Sequence, residues 1–125
     1  IKIRNRLRNV QILNKDAIQL IKDTDTPNTL FYIDPPYTHE SRTGKSGYKC
    51  EVQADYHLQL HDTLSSIKGK FILSNYYDEK IIDMYSKYNI IRINTVSTCS
   101  QNARPPKIEL LITNFTYSTQ QIGLL

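Results

Sequence analysis

The stretch "NTLFYIDPPYTHESR", Asn28 to Arg42, decides the fold. Leu30, Phe31, Tyr32 and Ile33 form a short run of apolar and aromatic side chains of the kind that sits well in a strand. The run meets Asp34, two prolines and a tyrosine directly. A proline fixes its own φ, lacks an N–H and pushes the residue before it into an extended conformation. Asp34 and Pro35 are therefore held extended while the hydrogen-bond ladder stops, and the strand ends where a carboxylate begins. Its continuous apolar character predicts burial on both faces.

Working outward, Val10–Leu13 reads as an earlier strand. It is followed by Asn14, Lys15 and Asp16, and then by "AIQLIK", whose Ala17, Ile18 and Ile21 suit a short helix. "DTDTPN", Asp23 to Asn28, is turn chemistry. Beyond the prolines, Thr38 to Val52 carries Gly44, Gly47, Arg42, Lys45 and Lys49 and reads as a long functional loop. Leu58, Leu60, Leu64 and Ile67 mark an amphipathic helix from Ala54 to Ser66, with Asp55 near its start and Gly69 closing it. "KFILS", Lys70 to Ser74, is a third strand, and a helix over about Asp78 to Lys87 follows. Asn89 to Asn94 is a fourth strand, and Ile108 to Thr113 a fifth, after the polar loop "STCSQNARPP". Strands alternating with helices predict an α/β sheet with mostly parallel strands, and the helix-free last connection predicts an antiparallel final strand.

With 125 residues, one small domain spanning 1–125 is expected. At 39% hydrophobic and 22% charged residues, with no apolar run approaching about 18 residues, a soluble cytoplasmic protein is expected rather than a membrane protein. No charged-then-apolar leader opens the chain. Cys50 and Cys99 lie outside any C-x-x-C spacing and read as reduced thiols. The net charge of +4 favours an acidic partner, nucleic acid before membrane surface. Lys2, Arg4, Arg6 and Arg8 alternate, so an extended segment would present all four on one side to phosphates; the competing reading is a solvated strand face. The chain opens on Ile1 and its one methionine is Met84, which suggests a fragment, a processed product or a trimmed chain.

In open parallel sheets ligands bind beyond the carboxyl ends of the strands. Asp16, Asp34, and Ser74 with Asn75 take those places in the predicted sheet. "DPPY", Asp34 to Tyr37, after an apolar strand resembles the catalytic motif of the Dam-like, D12 class DNA adenine N6-methyltransferases. The likeness extends to "NKDA" (Asn14 to Ala17), to the "H-x-x-L" of His57 and Leu60, to "FILSNYYDEKIIDMY" (Phe71 to Tyr85) and to "IELLITNF" (Ile108 to Phe115). It covers about Val10 to Phe115.

The resemblance implies a Rossmann-like methyltransferase sheet, S-adenosylmethionine as methyl donor, and double-stranded DNA as substrate. It implies catalytic roles for Asp34, Pro35, Pro36 and Tyr37, and cofactor contacts by Asp16 and Asp34. Lys2, Arg4, Arg6, Arg8, Arg42 and Lys45 are the expected DNA-binding cations. The chemistry of the residues agrees. An adenine amine is a poor nucleophile because its lone pair is delocalised into the ring, and two acceptors against its N–H bonds draw it towards tetrahedral geometry. The Asp34 carboxylate and the Pro35 carbonyl are those acceptors, and Tyr37 offers a stacking face for an extruded base. Asp16 could equally serve as a helix N-cap. His57 and His61 lack a third metal ligand and are expected to pack or face solvent, so no metal is expected.

The family's Gly-rich cofactor turn and its DNA-reading region have no counterpart, since Gly44, Gly47, Gly69 and Gly123 all follow the motif. The expectation is thus the C-terminal half of the domain, without the first two strands of the family's sheet. Those strands would lie between the first two strands here, leaving an open edge that invites self-association or pairing with another segment. An isolated chain of this kind is expected to be inactive alone. The competing classes are a non-catalytic remnant that binds DNA or a partner, and a methyltransferase for another amine. Asp rather than Ser or Asn at position 34 favours adenine, and calorimetry with S-adenosylmethionine separates the first two readings.

Overall fold

A computed structural model describes residues 2–36, 47–95 and 107–116. The elements run α1 (Lys2–Leu7), α2 (Ala17–Thr24), β1 (Leu30–Ile33), α3 (Gly47–Ser66), β2 (Lys70–Tyr76), α4 (Glu79–Met84), β3 (Asn89–Thr95) and β4 (Lys107–Thr113). The architecture is mixed α/β on a four-stranded sheet of order β1-β2-β4-β3. β1 and β2 pair in parallel, and β4 pairs antiparallel with both β2 and β3. Three strands therefore point one way and the last runs against them, as expected. Two of the three pairings are nevertheless antiparallel, because β4 inserts between β2 and β3. The apolar run "IELLIT" takes that inner place, with Leu110 and Ile112 fully buried.

The strand expected over Val10–Leu13 does not form: the segment is irregular and Ile12 is 86% exposed. Four residues, three of them apolar, form no stable strand without a neighbour to complete the ladder. The stretch before it is helical, α1, which overturns the extended basic arm. At about 100° per residue, Lys2 and Arg6 share one side of the helix while Arg4 points away from them.

α2 begins where the Asp16 carboxylate accepts from the Gln19 N–H at 2.8 Å, and it buries Ile18 and Ile21. The turn after it is built from hydroxyls: Thr29 Oγ1 donates to the Thr24 carbonyl and bonds Thr26 Oγ1. β1 then pairs with β2 in the register Phe31↔Phe71 and Ile33↔Leu73. Phe31 and Ile33 pack on the core, whereas Leu30 and Tyr32 are 58% and 66% exposed. β1 is thus buried on one face and not on both. It has one neighbour among the described residues, whereas β2 has two and carries the fully buried Phe71 and Leu73.

α3 starts at Gly47 rather than Ala54, which shortens the expected loop and places Asp55 mid-helix. Its buried stripe is His57, Leu60 and Leu64, and Leu58 lies outside it at 51% exposed. Gly69 serves close approach rather than a helix cap. A Cβ there would stand 2.8 Å from the Thr29 carbonyl oxygen and 2.9 Å from that of Thr26. The same corner is tied by Asp25, whose carboxylate accepts from the N–H groups of Lys68 and Gly69 at 2.8 and 2.9 Å.

Candidate active site

The carboxyl end of β1 delivers Asp34, Pro35 and Pro36 as irregular backbone directly after Ile33. Pro35 is buried, while Asp34 and Pro36 are exposed. A groove of about 610 Å³ runs beside them, along β1 and between α2 and α3. Leu13, Leu20, Ile21 and Phe31 contribute apolar wall, and Asp34, Pro35, Pro36 and Tyr56 also line it. Its size lies within the range of small-molecule sites, about 300–1,000 Å³, and an apolar wall with a few polar groups is the usual lining.

Asp16 reaches the same region. The Tyr56 hydroxyl is pushed above its ordinary range, first by burial and then by the negative charge of Asp16. The N-cap role of Asp16 is realised, which keeps its carboxylate at the start of α2 beside Ala17, a groove residue. Asp34, Pro35 and Pro36 thus line one groove, and Asp16 stands next in the chain to its lining residue Ala17. Tyr37, Arg42 and Lys45 lie outside the described residues, as do Cys99 and the side chain of Cys50. Lys2, Arg4, Arg6 and Arg8 are all exposed, and none of them lines the groove.

Ser74 and Asn75 do not stand beyond a strand end. β2 continues to Tyr76, and both side chains are 1% exposed. Ser74 Oγ donates to Glu109 Oε1 at 2.6 Å, and Asn75 Nδ2 has no hydrogen-bond partner among the described residues. They sit beneath the rim rather than on it.

Sequence reasoning missed Tyr56 in this region and, for His57, foresaw packing or exposure but not its contact with the Pro36 carbonyl. Tyr56 carries no motif, and its place at the groove follows only from α3 packing beside α2. His57 is 1% exposed and hydrogen-bonds the Pro36 carbonyl through Nε2 at 3.3 Å. The signal for it was the stripe 57, 60, 64, a helical spacing that enrols the histidine in place of Leu58. His61 instead lays its ring edge-on to Tyr85 at 5.1 Å and contacts Asp62. Among the described residues no group of three His, Cys, Asp or Glu side chains could hold a metal ion. No helix there is long and apolar enough to cross a membrane.

The sequence profile of the D12 class N6 adenine-specific DNA methyltransferases matches residues 1–99 of the chain. The chain belongs to that family. The match takes in the Asp34–Tyr37 motif, α2, α3 and β1 to β3, and ends before β4. For a D12 class methyltransferase the substrate is DNA adenine, and Asp34, Pro35 and Pro36 of the motif line the groove. No curated protein matches the chain.

Proposed function

We propose that the chain is a catalytic segment of a cytoplasmic D12 class enzyme that transfers a methyl group from S-adenosylmethionine to N6 of an adenine extruded from double-stranded DNA. The observation that carries this reading is the position of Asp34, Pro35 and Pro36 at the end of β1, lining the groove. The residues fit both ligands by their chemistry. The groove has an apolar wall for a purine, Asp34 in its lining, and a phenol from Tyr56 beside the Asp16 charge.

The Asp34 carboxylate and the Pro35 carbonyl accept the two N–H bonds of the adenine amine and draw its nitrogen out of conjugation, with Tyr37 stacking on the base. The prolines hold these acceptors in a fixed direction because neither can rotate about φ. Asp16 and Asp34 contact the cofactor, which supplies an electrophilic methyl group on a sulfonium. Lys2, Arg4, Arg6, Arg8, Arg42 and Lys45 supply positive charge for the phosphates. The four strands form one part of a larger Rossmann-like sheet, whose remaining strands belong on the open side of β1. Alone, the chain meets that need by self-association.

The test is methyl transfer from radiolabelled S-adenosylmethionine to DNA lacking N6-methyladenine, with the modified base identified by mass spectrometry. Asp34→Ala should lower turnover on the order of 100- to 1000-fold with the fold intact. Undiminished transfer by Asp34→Ala would overturn the assignment.

A further inference from the structure

Asp34–Pro35–Pro36 has an anchoring problem that follows from its composition. Pro35 and Pro36 lack N–H groups, so neither can be held by donating a backbone hydrogen bond, and only their carbonyls remain for anchoring. One anchor is a side chain on another element. His57, in α3, lies 21 residues along the chain from Pro36, and its Nε2 is 3.3 Å from the Pro36 carbonyl oxygen. A carbonyl oxygen only accepts, so Nε2 carries the proton and donates. The other ring nitrogen, Nδ1, is buried without a hydrogen-bond partner among the described residues.

We propose that His57 is a positioning residue: it holds the Pro36 carbonyl and thereby fixes the direction of the acceptors at Asp34 and Pro35. This rests on the reading of Asp34–Pro36 as the segment that grips the adenine amine. The surroundings of the ring support it. His57 is part of the buried stripe of α3, next to the fully buried Leu60, so the donor comes from a helix locked by packing. Burial, the largest influence, lowers the pKa of the ring below its ordinary value and so favours the neutral form, against smaller opposing effects of the Pro36 carbonyl and Asp78. In the neutral Nε2–H tautomer the buried Nδ1 is a bare lone pair; protonation would add a second buried donor without a partner.

The substitutions that test this are His57→Leu, which fills the space without a donor, and His57→Gln, whose amide N–H can occupy the place of Nε2–H. In the isotopically labelled full chain, nitrogen NMR should find the ring protonated on Nε2 and bare on Nδ1 at neutral pH. The carbonyl carbon of Pro36 should shift in His57→Leu and return towards its original position in His57→Gln. In methyl transfer, His57→Leu should lower kcat roughly 10- to 100-fold with little change in KM for S-adenosylmethionine, and His57→Gln should recover most of the loss. A ring protonated on Nδ1 alone, a Pro36 carbonyl resonance indifferent to the donor, or equal loss in both variants overturns the proposal. If the unsubstituted chain transfers no methyl group to DNA, the outcome expected of the segment alone, the tautomer and the Pro36 resonance decide the positioning role. Should His57→Leu not fold, the tautomer and His57→Gln decide it.

Discussion

Two buried polar rings give the chain its own pH limits. The His57 ring, lowered in pKa chiefly by burial, titrates below its unfolded value of about 6.5. Between that value and its folded pKa, an unfolded chain binds the proton and the native chain does not, so stability is full above pH 6.5 and falls as the pH drops through this window. Thermal melts between pH 7 and pH 5 should show that fall, and His57→Gln, which does not titrate, should flatten it. Melts that decline equally in both proteins would assign the acid sensitivity elsewhere. Tyr85 has the opposite sign: burial, foremost, raises its pKa, so its contribution is complete below pH 10 and lost above it. The end of β1 before Asp34 and Pro35 and the N-cap at Asp16 are legible residue by residue, because local backbone chemistry dictates both. Packing of His57 is among the expectations, whereas its contact with Pro36 and the place of Tyr56 depend on which turn of α3 faces which neighbour.

The corner where α2 leads into β1 and α3 leads into β2 is held by a few atoms. Asp25 accepts two backbone N–H groups from Lys68 and Gly69, and Gly69 leaves no room for a Cβ beneath the Thr26 and Thr29 carbonyls. Asn114 closes the other side, accepting from the Phe71 N–H at 2.9 Å and donating to the Gly69 carbonyl at 3.0 Å. Gly69→Ala should destabilise the fold by about 1–3 kcal/mol, since the opposing atoms are backbone and cannot step aside cheaply. Denaturant titration measures this, and an unchanged midpoint would show that the corner relaxes freely. α3 and β4 illustrate what element-level reading can reach. The apolar runs were visible as helix and strand, but the start of α3 at Gly47 and the central place of β4 were not. Helix starts are weakly marked in sequence, and strand order is set by pairing between distant segments.

β1 is an edge strand among the described residues, with Leu30 and Tyr32 exposed on it and exposed Val10, Ile12 and Leu13 in the segment before α2. An apolar edge of this kind is a template for another strand. The chain should therefore associate as its concentration rises, and Tyr32→Lys should weaken that association, because a charge on an edge strand opposes pairing. Sedimentation velocity over a range of concentrations reads the outcome. A single monomeric species at every concentration would remove self-association from the proposal.

The sequence by itself determined that a strand stops at Ile33, that a carboxylate and two prolines follow it, that a short helix follows Asp16, and to which family of methyltransferases the chain is similar. These are properties of adjacent residues, governed by φ restriction, missing N–H groups and side-chain capping. Only the tertiary structure decided that Val10–Leu13 stays out of the sheet, that the basic residues of α1 spread around a helix, that β4 enters between β2 and β3, and that His57 grips Pro36. Each of these depends on hydrogen bonds and buried surfaces contributed by residues far apart in the chain, and no local propensity encodes which distant partner will be there.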